Sequence, residues 1–293
     1  MVTTDRQELR VRALRALGKL PPFSPILNRL IASLAEEDVS FARLAELIEK
    51  DTVLAGNVLR LVNSALYNRG ATVSSVRHAV SILGINKLRN GVLGLSVTSL
   101  WNRVRTPKGW SMSRFNMHSV ATALLSDLLS QAGPVDYAEG AFTAGLFHDL
   151  GRFLIAIGLP EQHQQIALLH PGHHFSQHEC ESEVLEFSHA EISADALIQW
   201  KLPEEICTAV RFHHNPELGP QPKSRISLSR VIHVADQYVN ALGHTVVAAD
   251  EQPVGESVID RALIALERLE LDQPIPPILE NFAAEFEAMR VIF

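Results

Sequence analysis

The sequence predicts an all-α fold. Three observations carry that prediction. Apolar residues recur at helical spacing in nearly every segment, capping residues stand in front of those segments, and no alternating apolar–polar stretch is long enough for a sheet.

In chain order, "DVSFARLAELIEKD" at 38–51 sets Phe41, Leu44, Leu47 and Ile48 on one face, with Ser40 as N-cap. Asp51 caps the next helix, "TVLAGNVLRLVNSALYN". Ser74 or Ser75 opens "VRHAVSILG", which Gly84 stops, and "INKLRNGVLGLSVTSLW" follows, weakened by Gly91 and Gly94. "RVRTPKGWS" at 103–111 is a break built from charge, Pro107 and Gly109. Helices are predicted near 112–131, 137–158, 189–200 and 203–214. "NPELGPQPKS" at 215–224 is a second break, followed by a helix near 225–242, a polar loop to about 256, and one or two terminal helices.

The chain has 293 residues, 46% of them apolar, enough for one large domain or two moderate ones. A net charge of -7 argues against a general grip on nucleic acid or on an anionic membrane. Two cysteines, Cys180 and Cys207, cannot staple a chain of this size, which points to a reducing compartment. The first residues lack a signal-peptide core, and no run of about 18 apolar residues appears. A cytoplasmic protein is the expectation.

The 13 histidines give the sharper signal. His118, Ala121, Leu125 and Leu129 share a helix face, so His118 points inward. Ala141, Ala144, Gly145 and His148 share another, whose small residues admit a neighbouring backbone. Asp149 follows His148 directly. "SHAE" at 188–191 reads as a capping box and puts His189 at a helix start. His213 and His214 are expected in the last turn of the 203–214 helix, and Asp236 lies on the apolar side of the following helix.

His118, His148, Asp149, His189, His213, His214 and Asp236 are nitrogen and carboxylate donors suited to a divalent transition metal. Seven are too many for one four-coordinate ion and enough for two with a bridging carboxylate. The pattern alone leaves a second reading open, in which each is a core side chain bonded to a backbone carbonyl.

Other signals point to structure. "HPGHHFSQHEC" at 170–180 is predicted as a solvated loop despite four histidines and a thiol. "RHAVSILGINKLRN" has helix–turn–helix rhythm but no dense basic face. Asn63 and Ser64 are read as backbone-bonding residues where helices meet. Trp101, Trp110 and Trp200 are read as packing residues. Arg152 is read as an ion-pair partner, with phosphate recognition as the functional alternative.

The order of these segments resembles a known family. The spacing of His118, "HD" at 148–149 and Asp236 is similar to that of the HD superfamily of metal-dependent phosphohydrolases. The closer resemblance is to HDOD, the HD-related output domain of bacterial signalling proteins. It rests on "LPPFSPILNRL", "LIEKDTVLAGNVLRLVNSALYN", "SSVRHAVSILGINKLRN", "AFTAGLFHDLGRFLI", "FSHAEISADALIQWKLPEEI" and "AVRFHHNP", from about residue 15 to 216. The resemblance implies a helical N-terminal lobe (1–106) packed on an HD-like helical core (107–216), with 217–293 as C-terminal helices on that core.

It also implies a regulatory role, with a signalling protein as partner. The seven residues above match the superfamily's metal ligands, for one or two ions of Fe, Mn, Zn or Ni. Two departures weigh against hydrolysis: Arg152 stands where related cyclic-dinucleotide phosphodiesterases carry Lys, and "HHNPELGP" lacks their Gly-Tyr-Pro signature. The alternative reading is a metal-dependent phosphohydrolase or phosphodiesterase acting on a nucleotide or cyclic nucleotide, with Asp149 and Arg152 in the catalytic roles. DNA binding is a minor alternative, and no membrane partner is expected.

Overall fold

The computed structural model of the chain describes residues 2–32, 41–67, 70, 72–169, 176–247 and 256–290. Ser40, the expected N-cap, and His170, His173 and His174 lie outside the described residues.

Helices account for the fold, as the periodicity predicts. In order they are α1 (Val2–Arg15), α2 (Pro25–Ala32), α3 (Phe41–Glu49), α4 (Thr52–Val62), α5 (Val76–Leu83), α6 (Ile85–Trp101), α7 (Met112–Ser130) and α8 (Ala141–Phe147). There follow α9 (Leu150–Gly158), α10 (Pro160–Leu169), α11 (Gln177–Leu185), α12 (His189–Gln199), α13 (Glu204–Arg211), α14 (Leu228–Ala241), α15 (Glu256–Glu267) and α16 (Ile275–Arg290). The described residues contain no strand, only an isolated bridge between Val135 and Ile226. Among them no single helix is long and apolar enough to cross a membrane.

Local chemistry sets many of the boundaries. The Asp51 carboxylate accepts from the Val53 and Leu54 amides and starts α4. Ser75 accepts from the His78 amide and starts α5, which ends at Gly84 with φ 76. That left-handed value suits a residue without a Cβ. The capping box forms as expected: Ser188 accepts from the Glu191 amide while the Glu191 carboxylate accepts from the Ser188 amide.

Four predicted elements differ. The helix read over 52–68 stops at Val62, with Asn63 as its C-cap. The helix expected over 137–158 breaks at His148–Asp149, where Asp149 leaves helical geometry at φ -98, ψ 8. The Gly151 amide then donates to Ser193 Oγ at 2.7 Å, a bond across to α12. The helix expected over 203–214 stops at Arg211, so His213 and His214 lie in the turn beyond it rather than in its last turn. The stretch read as a solvated loop becomes helix from Gln177, with Cys180 and Glu181 buried.

The chain divides into two compact units. One comprises 1–21 and 104–273, and the other 22–103 and 274–293. The sequence suggested a consecutive division at about 106 and 216, whereas here both chain ends cross over. Physical contacts explain the exchange within each unit. Arg10 of α1 donates to Asp195 and Glu191 of α12, and Lys19 Nζ donates to the Ile157 carbonyl at 2.6 Å. In the other unit, Lys87 of α6 pairs with Glu285 of α16.

In the smaller unit, Asn63 closes α4 by bonding the Leu59 carbonyl and both backbone groups of Val73. Trp101 is fully buried there. In the larger unit, Trp110 joins Phe115 and Phe153 in an aromatic cluster, and Trp200 meets Phe147 edge-on.

Candidate metal centre

Two glycines flanking the His-Asp pair bring its neighbours close. A Cβ on Gly145 would lie 2.8 Å from Ala123 Cα, so the backbones of α7 and α8 nearly touch. This brings His118, on α7, to His148. A Cβ on Gly151 would lie 2.0 Å from the His189 carbonyl oxygen, so the first turn of α12 rests on the start of α9. This brings His189 to Asp149. The turn after α13 adds His213 and His214, and α14 adds Asp236.

All seven side chains predicted as donors meet in the larger unit. His118 Nε2 lies 3.2 Å from His148 Nε2 and 3.2 Å from Asp236 Oδ1. Asp149 sits between two groups: its Oδ2 is 3.4 Å from His118 Nε2 and its Oδ1 is 3.0 Å from His189 Nε2. His189 Nε2 is 2.9 Å from His214 Nε2. Asp149 thus belongs to two clusters whose donor atoms all lie within 4.8 Å: one with His189, His213 and His214, the other with His118 and His148. His118, His148, Asp149, His189 and His213 are at most 2% exposed.

The hydrogen bonds behind the rings say what the cluster fits. His118 Nδ1 lies 2.7 Å from the His244 carbonyl, His148 Nδ1 2.7 Å from that of Gly145, and His213 Nδ1 2.7 Å from that of Val210. His189 Nδ1 lies 2.5 Å from the Glu181 carboxylate. Each acceptor requires a proton on Nδ1, so a neutral ring presents its Nε2 lone pair to the centre. Two neutral rings held this way face each other lone pair to lone pair at about 3 Å, which repels unless a proton or a metal ion lies between them. Two nitrogens about 2.0–2.1 Å from one ion stand roughly 2.9–3.4 Å apart, which matches both observed pairs. His213 Nε2 is buried without a hydrogen-bond partner, and Asp149 Oδ1 has ion-pair neighbours but no aligned donor. The residues therefore fit a divalent transition ion, and Asp149 is the donor common to both clusters.

A sequence model of the HDOD domain matches residues 20–216, well over half of the chain. The chain belongs to the HDOD family.

The HDOD chain is 22% identical over 289 residues to an uncharacterized protein of Treponema pallidum, covering 98% of this chain and 53% of that one. It thus spans about half the length of that curated relative. Among solved structures it is similar to an HDOD domain protein of unknown function from Geobacter sulfurreducens. That match has TM-score 0.74 at 23% identity, covering 98% and 99% of the two chains. It is also similar to a protein of Shewanella amazonensis described as "Putative phosphohydrolase", with TM-score 0.70 at 23% identity, covering 96% and 97%. At these identities the likeness establishes the fold.

The ionisable groups of this HDOD centre are pushed apart. Burial would lower His118, but hydrogen bonds to Asp149 and Asp236 outweigh it and raise its pKa to about 10. Burial also opposes the charge on His189, yet the nearby Glu181 carboxylate raises it. Asp149 is held well below the usual carboxylate range: burial works against this, and Arg152, His148 and His189 overcome it. Asp236 is depressed in the same way, chiefly by His118. His213 and His214 are driven well below the ordinary imidazole value, first by burial and then by neighbouring histidines. In the metal-free protein, a proton on His118 therefore offsets part of the charge of the buried carboxylates, and the Glu181 carboxylate favours a proton on His189 as well.

Sequence reading missed α11, which forms one wall of the HDOD centre. Gln177 accepts from Arg152, His178 stacks on His214 with ring centroids 4.4 Å apart, and Glu181 holds His189. One available signal was the Ser-x-x-Glu spacing of Ser176 and Glu179, which forms a capping box like that of Ser188 and Glu191. Arg152 pairs with Asp149 at 3.0 Å, an internal ion pair.

Proposed function

We propose that this HDOD chain is a regulatory signal-transduction module, an output or interaction domain, built around a buried divalent metal centre with little or no hydrolytic activity. His118, His148, Asp149, His189, His213, His214 and Asp236 are the residues that would hold one or two ions of Fe, Mn, Zn or Ni. The observation that carries this reading is the burial of the donor set with its imidazole Nε2 atoms facing one another. Bound there, a divalent ion supplies a cross-link between helices and a Lewis acid.

The surroundings favour the structural use over the chemical one. Arg152 is engaged by Asp149 and Gln177 and is only 11% exposed. Such a guanidinium is poorly placed to meet a substrate phosphate. A signalling protein is the partner in this reading. In the helix–turn–helix-like segment, Arg77 approaches Glu49 and Lys87 pairs with Glu285, which weakens the case for nucleic acid.

The test is elemental analysis of protein purified without chelator, beside hydrolysis of a model phosphodiester. One or two ions per chain with negligible turnover supports the proposal. Less than about a tenth of an ion per chain removes the metal claim. The sharing of Asp149 between two donor clusters favours the phosphohydrolase alternative, with a nucleotide as ligand. Robust turnover that vanishes in a folded Asp149→Ala variant would establish it.

A further inference from the structure

Of the histidines anchored at Nδ1 around the centre, His118, His148 and His213 are anchored by backbone carbonyls. His189 is anchored by a carboxylate. Glu181, one turn beyond Gln177 on α11, is 2% exposed, and its Oε2 accepts from both His189 Nδ1 at 2.5 Å and the His189 amide at 2.8 Å.

A buried carboxylate is costly unless something requires its charge. Here the capping box already starts α12 through Ser188 and Glu191, so the helix does not need Glu181 to begin. The carboxylate instead grips one residue at two points, fixing its backbone and its ring together. A negative partner on Nδ1–H directs Nε2 to the centre and makes that nitrogen a stronger donor than a carbonyl partner would.

We propose that Glu181 is a positioning residue that orients and electronically strengthens His189 as a ligand of the centre. The proposal rests on the metal-centre reading above for its ligand. The orientation of His189 itself is a property of the metal-free protein and can be judged separately. It makes α11 part of the site: a helix that donates no atom to the ion but sets the quality of one that does.

The experiment uses the full chain and three proteins: wild type, Glu181→Gln and Glu181→Ala. Zinc affinity is measured by competition with a chromophoric chelator, and the His189 Nδ1–H proton is followed by nuclear magnetic resonance in metal-free samples. Glu181→Ala is expected to weaken zinc binding about 10–100-fold and to lose the Nδ1–H signal to solvent exchange. Glu181→Gln keeps an acceptor but not the charge. Its signal is expected to persist but move upfield, with an intermediate loss of affinity.

Should Glu181→Ala fail to fold, Glu181→Gln decides alone. An unmoved Nδ1–H proton together with wild-type zinc affinity in the folded variant overturns the proposal. If wild type binds no zinc, the metal reading falls, and the resonance still decides whether Glu181 orients His189. If wild type binds zinc and neither variant weakens it, the proposal is overturned while the metal reading stands.

Discussion

Gly151 and His189 meet backbone to backbone, so closely that a Cβ on Gly151 would lie 2.0 Å from the His189 carbonyl oxygen. That approach places a metal-type donor at the first residue of α12 beside the Asp149 carboxylate. No flexible side chain can yield there, because the obstructing atom belongs to backbone.

Gly151→Ala is therefore expected to destabilise the protein by about 3 kcal/mol or more, at the severe end for overpacking. Gly145→Ala meets Ala123 Cα at 2.8 Å and should also destabilise, by about 1–3 kcal/mol. Urea unfolding of both variants checks this. A Gly151→Ala protein within about 0.5 kcal/mol of wild type would show that the helices are not pressed together as described.

Those two glycines mark a limit of sequence reading. Caps were legible because their chemistry is local: Asp51, Ser75 and the Ser188–Glu191 box each bond to amides two or three residues on. The inward direction of His118 and Asp236 was legible from helical spacing. The break at His148–Asp149 was not, since it accompanies a bond from Gly151 to Ser193, 42 residues away. Glu181 was invisible for a related reason. A glutamate on a largely polar helix reads as solvated, and only the approach of His189 shows that it is enclosed. The crossing of α1 and α16 between units depends likewise on distant partners, Asp195 for Arg10 and Lys87 for Glu285.

The Arg10 contact supports a prediction of its own. Its guanidinium bonds Asp195 through Nε and Nη2 and reaches Glu191 through Nη1, while Arg211 holds the other Asp195 oxygen. The groups are partly exposed, which limits the gain through solvent screening. Arg10→Ala should cost about 1 kcal/mol, and a double-mutant cycle with Asp195→Ala should recover most of it as coupling. A coupling energy near zero would mean that the Arg10–Asp195 bonds do not hold α1.

Loss of a bound ion should be felt as loss of stability. A ligand present at about 100 times its dissociation constant stabilises the native state by about 2.7 kcal/mol. Chelation should then lower the melting transition of the larger unit by on the order of 5–10 °C. Asp149→Ala, which removes the donor common to both clusters, should melt at the same temperature with and without chelator. A chelator effect that survives in Asp149→Ala would place the responsible ion elsewhere.

The metal-free centre also predicts an unusual dependence of stability on pH. His213 and His214 are depressed well below the free imidazole value of about 6.5. As pH falls below that value the unfolded chain takes up protons that the native protein refuses, so the stability these groups contribute is lost on the acid side. His118 and His189 act in the opposite sense, with His118 raised to about 10. Their contribution is complete below about 6.5 and is lost as pH rises through the native value, because the unfolded chain has already released those protons. Asp149 and Asp236, depressed in the native state, add stability above about 3.9 that disappears in stronger acid. Chelated protein should be most stable near pH 6.5, with each imidazole changing the slope by up to about 1.4 kcal/mol per pH unit. A bound ion takes the place of the proton on His118, so the alkaline decline should flatten when metal is restored. Urea midpoints from pH 5 to 9, with and without chelator, measure both arms. A chelated protein whose stability keeps rising from pH 6.5 to 9 would show that protons do not balance the carboxylates in the empty centre.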